Sequence, residues 1–279
     1  MSRGEIVTRK GRAAGSAWTE EERTLPPGRR PAGAGRMRPG LLLGLATAVA
    51  LLATPVSAGA VSVYAATSLA NVMPEVKRDA TYSFGASNTL QLQIERGAPA
   101  DLFLSAEPKE AQTLYHEGMC ERPLTFATNT LVLIVQQGDP SSIGSVYGLR
   151  RGGVRLSIGN AGVPIGDYTR RLLRRLRLSS VLSSNRVSQQ SNVGQVLSQV
   201  AFGGADAGFV YATDARTQSD RVDALFVPRW AQPPVRYQGC VVRRDGVDRT
   251  GALRLLDAVR SGRGRGLLRR FGFGLPPRG

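Results

Sequence analysis

The chain has 279 residues and a formal charge of +16, with 37 Lys and Arg against 21 Asp and Glu, one histidine and two cysteines. That length makes one large or two medium domains. The single His116 and the distant pair Cys120 and Cys240 exclude zinc-type ligand spacing and leave most nucleophile chemistries without a base.

Residues 1–36 are polar, rich in Gly, Pro and Arg, and lack periodicity, so they cannot bury a core. They read as an extension upstream of a true start at Met37. Met37-Arg38-Pro39-Gly40 leads into the apolar run Leu41 to Ala53 and the small residues Val56-Ser57-Ala58-Gly59-Ala60. A positive start, a short apolar run and an A-x-A-like end make residues 37–60 a secretory signal. The run is too short for a membrane span. Cleavage is expected after Ala58 or Ala60, and no cysteine stands there to carry a lipid anchor. The expected product is a soluble exported protein, residues 61–279, which keeps +11 of the charge. Export permits a disulfide. Cys120 and Cys240 are either bonded to each other or two separate buried thiols.

From residue 61 the chain alternates strands and helices. Val61 to Ala66 is a strand that ends at Thr67-Ser68, hydroxyl residues suited to cap the next short helix. Thr81 to Phe84 is a strand, Gly85 a tight turn, and Ser87-Asn88-Thr89 the first turn of a helix with Leu90 and Ile94 on one face. Asp101 to Ser105 is a buried strand, Ala106 to Gly118 a helix, and Leu131 to Val135 a strongly apolar strand. This order argues α/β with a largely parallel sheet.

A second block repeats the pattern. Arg155 to Gly159 is a strand, and Val163-Pro164-Ile165-Gly166 turns into a helix beginning near Asp167. That helix carries Arg170-Arg171-Leu172-Leu173-Arg174-Arg175-Leu176-Arg177, which reads as an amphipathic surface helix with a solvated arginine face. Arg outnumbers Lys 34 to 3 across the chain, a compositional bias rather than the concentrated basic and aromatic pattern of a nucleic-acid face. Val187 to Gln190 is a short strand, and Ser191-Asn192-Val193 caps a helix through Val200. Ala207 to Tyr211 is a strand, followed by a short helix from Ala212. Ala224 to Pro228 and Val235 to Val242 are strands, Ala252 to Val259 is a helix, and a basic Gly/Arg-rich tail ends the chain.

Four junctions, at Ser68, Ser87, Ile165-Gly166 and Asn192-Val193, bring small or hydroxyl residues to helix starts. None has Lys or Arg at its tip. In open α/β sheets ligands bind beyond the carboxyl ends of strands, against helix N-termini. Several such ends aimed at one point hold an anion by N–H groups and dipoles. No P-loop lysine, paired carboxylates or metal cluster accompanies them, which favours binding over catalysis.

The sequence resembles the exported molybdate-binding proteins of ABC importers, within the two-lobed type II periplasmic binding proteins. The resemblance rests on Tyr64-Ala65-Ala66-Thr67-Ser68-Leu69, Ser83 to Leu90, Gly97 to Ala106, Asn129 to Leu133, Val163 to Gly166, Ala205 to Ala215 and Phe271-Gly272-Phe273, in the family's order. It implies an α/β fold with the ligand cleft between lobes: residues 61–131 and 226–279 as lobe I, 132–225 as lobe II, with crossing strands near Leu131 and between 225 and 240. It implies no catalysis and no cofactor. The ligand would be molybdate or tungstate, held by Ser68 and Ser87 through side chains and backbone, Ile165 and Val193 through backbone N–H groups, and Tyr211 through its phenol. Partners would be an ABC permease and its cytoplasmic ATPase, with no nucleic acid, and the protein a periplasmic monomer. Ile165 replaces the family's usual Ala, the segment Met73 to Phe84 is shorter than the family pattern, and a usual Trp after Ser105-Ala106 is absent. Alternatives are another tetrahedral oxyanion such as sulfate, or an oxyanion sensor lobe. A secreted hydrolase would need a base, and His116 lies mid-helix, away from the junctions.

Overall fold

The computed structural model describes residues 59–276. The expected extension over 1–36 and the expected signal up to Ala58 lie outside the described residues. The first part runs β1 (Ser62–Ala66), a single 3₁₀ turn (Thr67–Leu69), α1 (Met73–Val76), β2 (Thr81–Gly85), α2 (Ser87–Glu95), β3 (Leu102–Ser105), α3 (Pro108–His116) and β4 (Leu124–Asn129). The middle runs β5 (Leu131–Gln136), β6 (Arg155–Gly159), α4 (Pro164–Arg175), α5 (Val181–Ser184), β7 (Arg186–Gln190), α6 (Val193–Ala201), β8 (Ala207–Tyr211), α7 (Ala212–Arg216) and β9 (Val222–Leu225). Then come β10 (Val235–Val241), α8 (Arg249–Arg260) and α9 (Gly262–Arg270).

Two five-stranded sheets form, ordered β2-β1-β3-β10-β4 and β7-β6-β8-β5-β9. Each is mixed rather than largely parallel. β1 pairs parallel with β2 and β3, and β6 with β7 and β8, because helical segments connect these strands on the sheet faces. The strands beside the crossings are antiparallel: β10 to β3 and β4, β5 to β8 and β9. The chain passes from the first sheet to the second between Asn129 and Leu131, and returns between Leu225 and Val235. The Gln232 side chain ties the two crossings together: it accepts from Leu131 N–H at 2.9 Å and donates to the Leu131 carbonyl at 2.8 Å.

β3 is buried on both faces, as the middle of a covered sheet must be. Leu102 and Leu104 join the main core, while Phe103 packs with Leu90, Ile94 and Leu114 on the other side. Cys120 and Cys240 sit in that second cluster and are disulfide-bonded, Cα atoms 5.9 Å apart. β4 was not among the expected strands. Its Thr125, Thr128 and Asn129 mask the alternation, and it holds an edge position against β10. The Gly/Arg tail is also more ordered than its composition suggests. Ser261 caps α9 by accepting from Gly264 N–H, and Leu268 is fully buried. No helix among the described residues is long and apolar enough to cross a membrane.

Candidate functional site

Five strands deliver their carboxyl ends to one place. β1 ends at the turn carrying Ser68, β2 at the start of α2 and Ser87, and β8 at Tyr211. The segments after β6 and β7 open α4 and α6 at Ile165 and Val193. Ser68, Ser87, Ile165, Val193 and Tyr211 all line a single cavity, together with Ala106. No Lys, Arg, His, Asp or Glu lines it. The cavity is small, with about 20 Å³ of interior room. A single water needs roughly 10–15 Å³ by that measure. A cavity of that size with a neutral polar lining suits a compact ion.

Local sequence explains each helix start. Pro164 occupies the first turn of α4 and has no N–H, so Ile165 supplies an early donor there. The α4 start presses on the end of β6. A Cβ at Gly166 would collide with the Gly159 carbonyl, so glycine at 166 permits the approach. Asn192 caps α6 by accepting from Gln195 N–H at 3.0 Å, leaving the Val193 N–H at the first helical position without an intrahelical acceptor.

The hydroxyls of the cavity differ in what they already bond. Ser87 is buried, and its Oγ accepts from Ala106 N–H at 3.0 Å, so its own proton is available to the cavity. Ser68 Oγ lies 2.9 Å from Tyr237 Oη. Tyr211 is 1% exposed, and its Oη has no hydrogen-bond partner. Its ring is set edge-on to Tyr168 and Tyr237, with centroids 6.3 and 6.0 Å away. Burial pushes the Tyr211 phenol well above its ordinary pKa, with neighbouring Tyr237 adding to it, so the group stays a neutral O–H donor.

Beside the cavity the chemistry changes. Glu107, next to Ala106, is salt-bridged to Arg171 of α4 at 2.5 Å, and the guanidinium lies 4.3 Å over the Tyr168 ring. Burial pushes Glu107 up while Arg171 opposes that shift. Glu110, 1% exposed, is pushed up to about 7, first by burial and then by Glu107. The arginine face of α4 is thus only partly solvated. Arg170 donates to the Gly159 and Gly166 carbonyls and Arg175 to that of Gln232, while Arg174 is exposed. His116 is exposed at the end of α3 and does not line the cavity.

Sequence reasoning singled out five cavity residues, and the fold brings all five together. It did not single out Tyr237 or Asn129. Nothing local marks Tyr237 within its strand, and Asn129 stands out only as part of the Asn129 to Leu133 motif. Each stands among other polar residues, Asn129 after Thr125 and Thr128 and Tyr237 between Arg236 and Gln238, so neither is distinguished until its partner in the fold is known.

Residues 61–274 match the family model described as bacterial extracellular solute-binding protein. The chain belongs to this family. It is 32% identical over 196 residues to the molybdate-binding protein ModA of Mycobacterium tuberculosis H37Rv, covering 70% of this chain and 73% of that one. The Azotobacter vinelandii periplasmic molybdate-binding protein has the same two-lobed α/β fold, with a TM-score of 0.68 at 24% identity over 77% of this chain and 99% of that one. The sulfate-binding protein SubI from M. tuberculosis H37Rv shares the fold at a TM-score of 0.66 and 14% identity, over 78% of this chain and 87% of that one.

Proposed function

We propose that this family member captures molybdate or tungstate after export and delivers it to an ABC permease driven by a cytoplasmic ATPase. It binds its ligand and does not convert it. The lobes are residues 61–131 with 226–279, and 132–225, closing on the anion about the two crossings. The four oxygens accept from the Ser68 and Ser87 hydroxyls, the Ile165 and Val193 N–H groups and the Tyr211 phenol.

The observation that carries this reading is the Tyr211 hydroxyl, buried and unpartnered, on a residue that lines the small cavity. Buried polar groups are nearly always satisfied, so an orphan donor in a void calls for an acceptor. Helix starts converging on the same void call for a negative one. The 32% identical relative named for molybdate supplies the metal oxyanion. Molybdate has longer metal–oxygen bonds than the S–O bonds of sulfate, and rigid donors at a fixed radius read that difference.

Isothermal titration of the mature protein with molybdate, tungstate, sulfate and phosphate tests the reading. Molybdate and tungstate should bind tightly and sulfate much more weakly. Equal or stronger sulfate binding overturns the specificity.

A further inference from the structure

The positive charge is not spread evenly over the folded chain. Residues 61–131 hold eight carboxylates against five Lys and Arg. Residues 249–270, which form α8 and α9, hold seven arginines and one aspartate. These 22 positions therefore carry +6 of the +11 on residues 61–279. A uniform bias toward arginine would not produce that contrast.

α9 concentrates the charge against the local preferences of a helix. It reads Gly262-Arg263-Gly264-Arg265-Gly266-Leu267-Leu268-Arg269-Arg270. Gly264 and Gly266 weaken its interior. Arg263 and Arg265 stand in the first turn, where the helix dipole disfavours cations. Arg265 and Arg269 are like charges one turn apart. The Ser261 cap and buried Leu268 hold the helix in place all the same. Gly264 is on the inner side, where a Cβ would strike the Ala258 carbonyl. The outer side is exposed and consists of Gly262, Arg263, Gly266, Arg269 and Arg270 alone. At 3.6 residues per turn these five share an arc of about 120°. A Cβ at Gly262 or Gly266 would meet nothing. Arg263, Arg265, Arg269 and Arg270 form no salt bridge among the described residues. Local conflicts of this kind are expected where function rather than folding sets the residues.

We propose that this arginine–glycine face of α9 rests on the anionic phospholipid surface of a membrane and holds the exported protein there. The glycines leave the guanidinium groups as the only side chains standing out from the face, so nothing bulky keeps them from a plane of phosphates. Guanidinium groups bond phosphate oxygens two at a time. Each basic side chain at such a surface raises partitioning about fivefold. Nucleic acid fits the face less well, because no aromatic side chain is interleaved for bases to stack on. Adhesion of this kind depends on export and not on which anion fills the cavity, so it and the molybdate reading can fail separately.

Co-sedimentation of the mature protein with lipid vesicles tests the proposal. Phosphatidylcholine vesicles containing about one-third phosphatidylglycerol should bind it at least tenfold more tightly than phosphatidylcholine alone at about 0.1 M salt, and the preference should vanish near about 1 M. Arg263→Gln, Arg265→Gln, Arg269→Gln and Arg270→Gln together should lower the affinity for the anionic vesicles at least tenfold. A matched variant, Arg150→Gln, Arg174→Gln, Arg186→Gln and Arg229→Gln, removes the same charge from exposed positions on other elements and should lose less than about threefold. Should the α9 variant melt early, the single changes Arg263→Glu and Arg270→Glu replace it, and each should lose about tenfold. Equal losses from the two fourfold variants would reduce the effect to net charge and overturn the proposal. Indifference of the wild type to phosphatidylglycerol would overturn it too and leave the face to an acidic protein partner. Tighter binding to duplex DNA than to the anionic vesicles would assign the face to nucleic acid instead. None of these results touches molybdate binding by the wild type, whose absence in calorimetry sinks the proposed function alone.

Discussion

Two contacts span the same pair of lobes side by side, and they are built from opposite materials. The cavity is lined by neutral hydroxyls, amides and helix starts, with no ionised side chain. One residue beyond Ala106 and nearly two turns beyond Ile165, Glu107 meets Arg171 as a full ion pair. Exposure accounts for the division. The Arg171 side chain keeps 36% of its surface in water, so its desolvation is mild, and Glu107 at 6% has a partner. Inside the cavity a cation would lose its water whenever no ligand was bound, and its flexible stem would not fix a radius. Dipoles set by backbone geometry carry no such cost and do fix one. Arg171 thus stands beside the cavity, and no arginine among the described residues lines it.

Removing a cavity hydroxyl is the most severe way to break this contrast. Ser87→Ala deletes one donor to the anion and leaves the Ala106 N–H without its acceptor. Hydrogen bonds to charged groups contribute about 1.5–3 kcal/mol, so molybdate affinity should fall roughly 10–100-fold by calorimetry. The wild-type affinity should also stay flat from pH 6 to pH 8, because the only titratable group lining the cavity is Tyr211, raised well above its ordinary range by burial. A steep pH dependence would mean that a charge outside the cavity controls the site.

The charged side of the comparison should instead answer to pH through stability. Glu110 is held at about 7 by burial and by Glu107, against 4.5 for the ordinary group. A raised carboxyl pKa means the folded chain keeps a proton that the unfolded chain has released. Its stability is full below pH 4.5, falls as pH rises toward 7 and levels off above. Asp214, raised to about 7 by burial, adds in the same sense. Thermal melts of the wild type should therefore decline from pH 5 to pH 8. Glu110→Gln should flatten part of that slope, and an unchanged slope would place the proton elsewhere.

The cavity was far more legible in the sequence than its surroundings, for a physical reason. Ser68, Ser87, Ile165 and Val193 stand at strand-to-helix junctions, and a junction is local: cap residues, Pro164 and the glycines announce it within a few positions. Tyr211 follows from the same logic, at the end of an apolar strand. The hydrogen bonds that join Asn129 to Tyr237 and Tyr237 to Ser68 link residues 108 and 169 positions apart and leave no local trace. The antiparallel returns of β5 and β10 were missed for a similar reason, since apolar periodicity reports that a strand is buried but not which way it runs. Arg171 and Arg174 looked alike in one repeating Arg/Leu pattern, and only Glu107, 64 residues upstream, tells them apart.

That pair gives the finest test, because it compares one residue type on one helix. Arg171→Ala strips the partner from a carboxylate that is almost wholly buried, and should cost roughly 1–3 kcal/mol of stability, offset in part by protonation of Glu107 at lower pH. Arg174 is exposed and forms no salt bridge among the described residues, so Arg174→Ala should stay within about 0.5 kcal/mol and leave the molybdate affinity unchanged. If Arg174→Ala instead weakened anion binding as much as Ser87→Ala, the anion would be held by the basic helix. The neutral cavity would then be a packing void between lobes, and the division between dipoles inside and charges outside would not describe how this protein recognises its ligand.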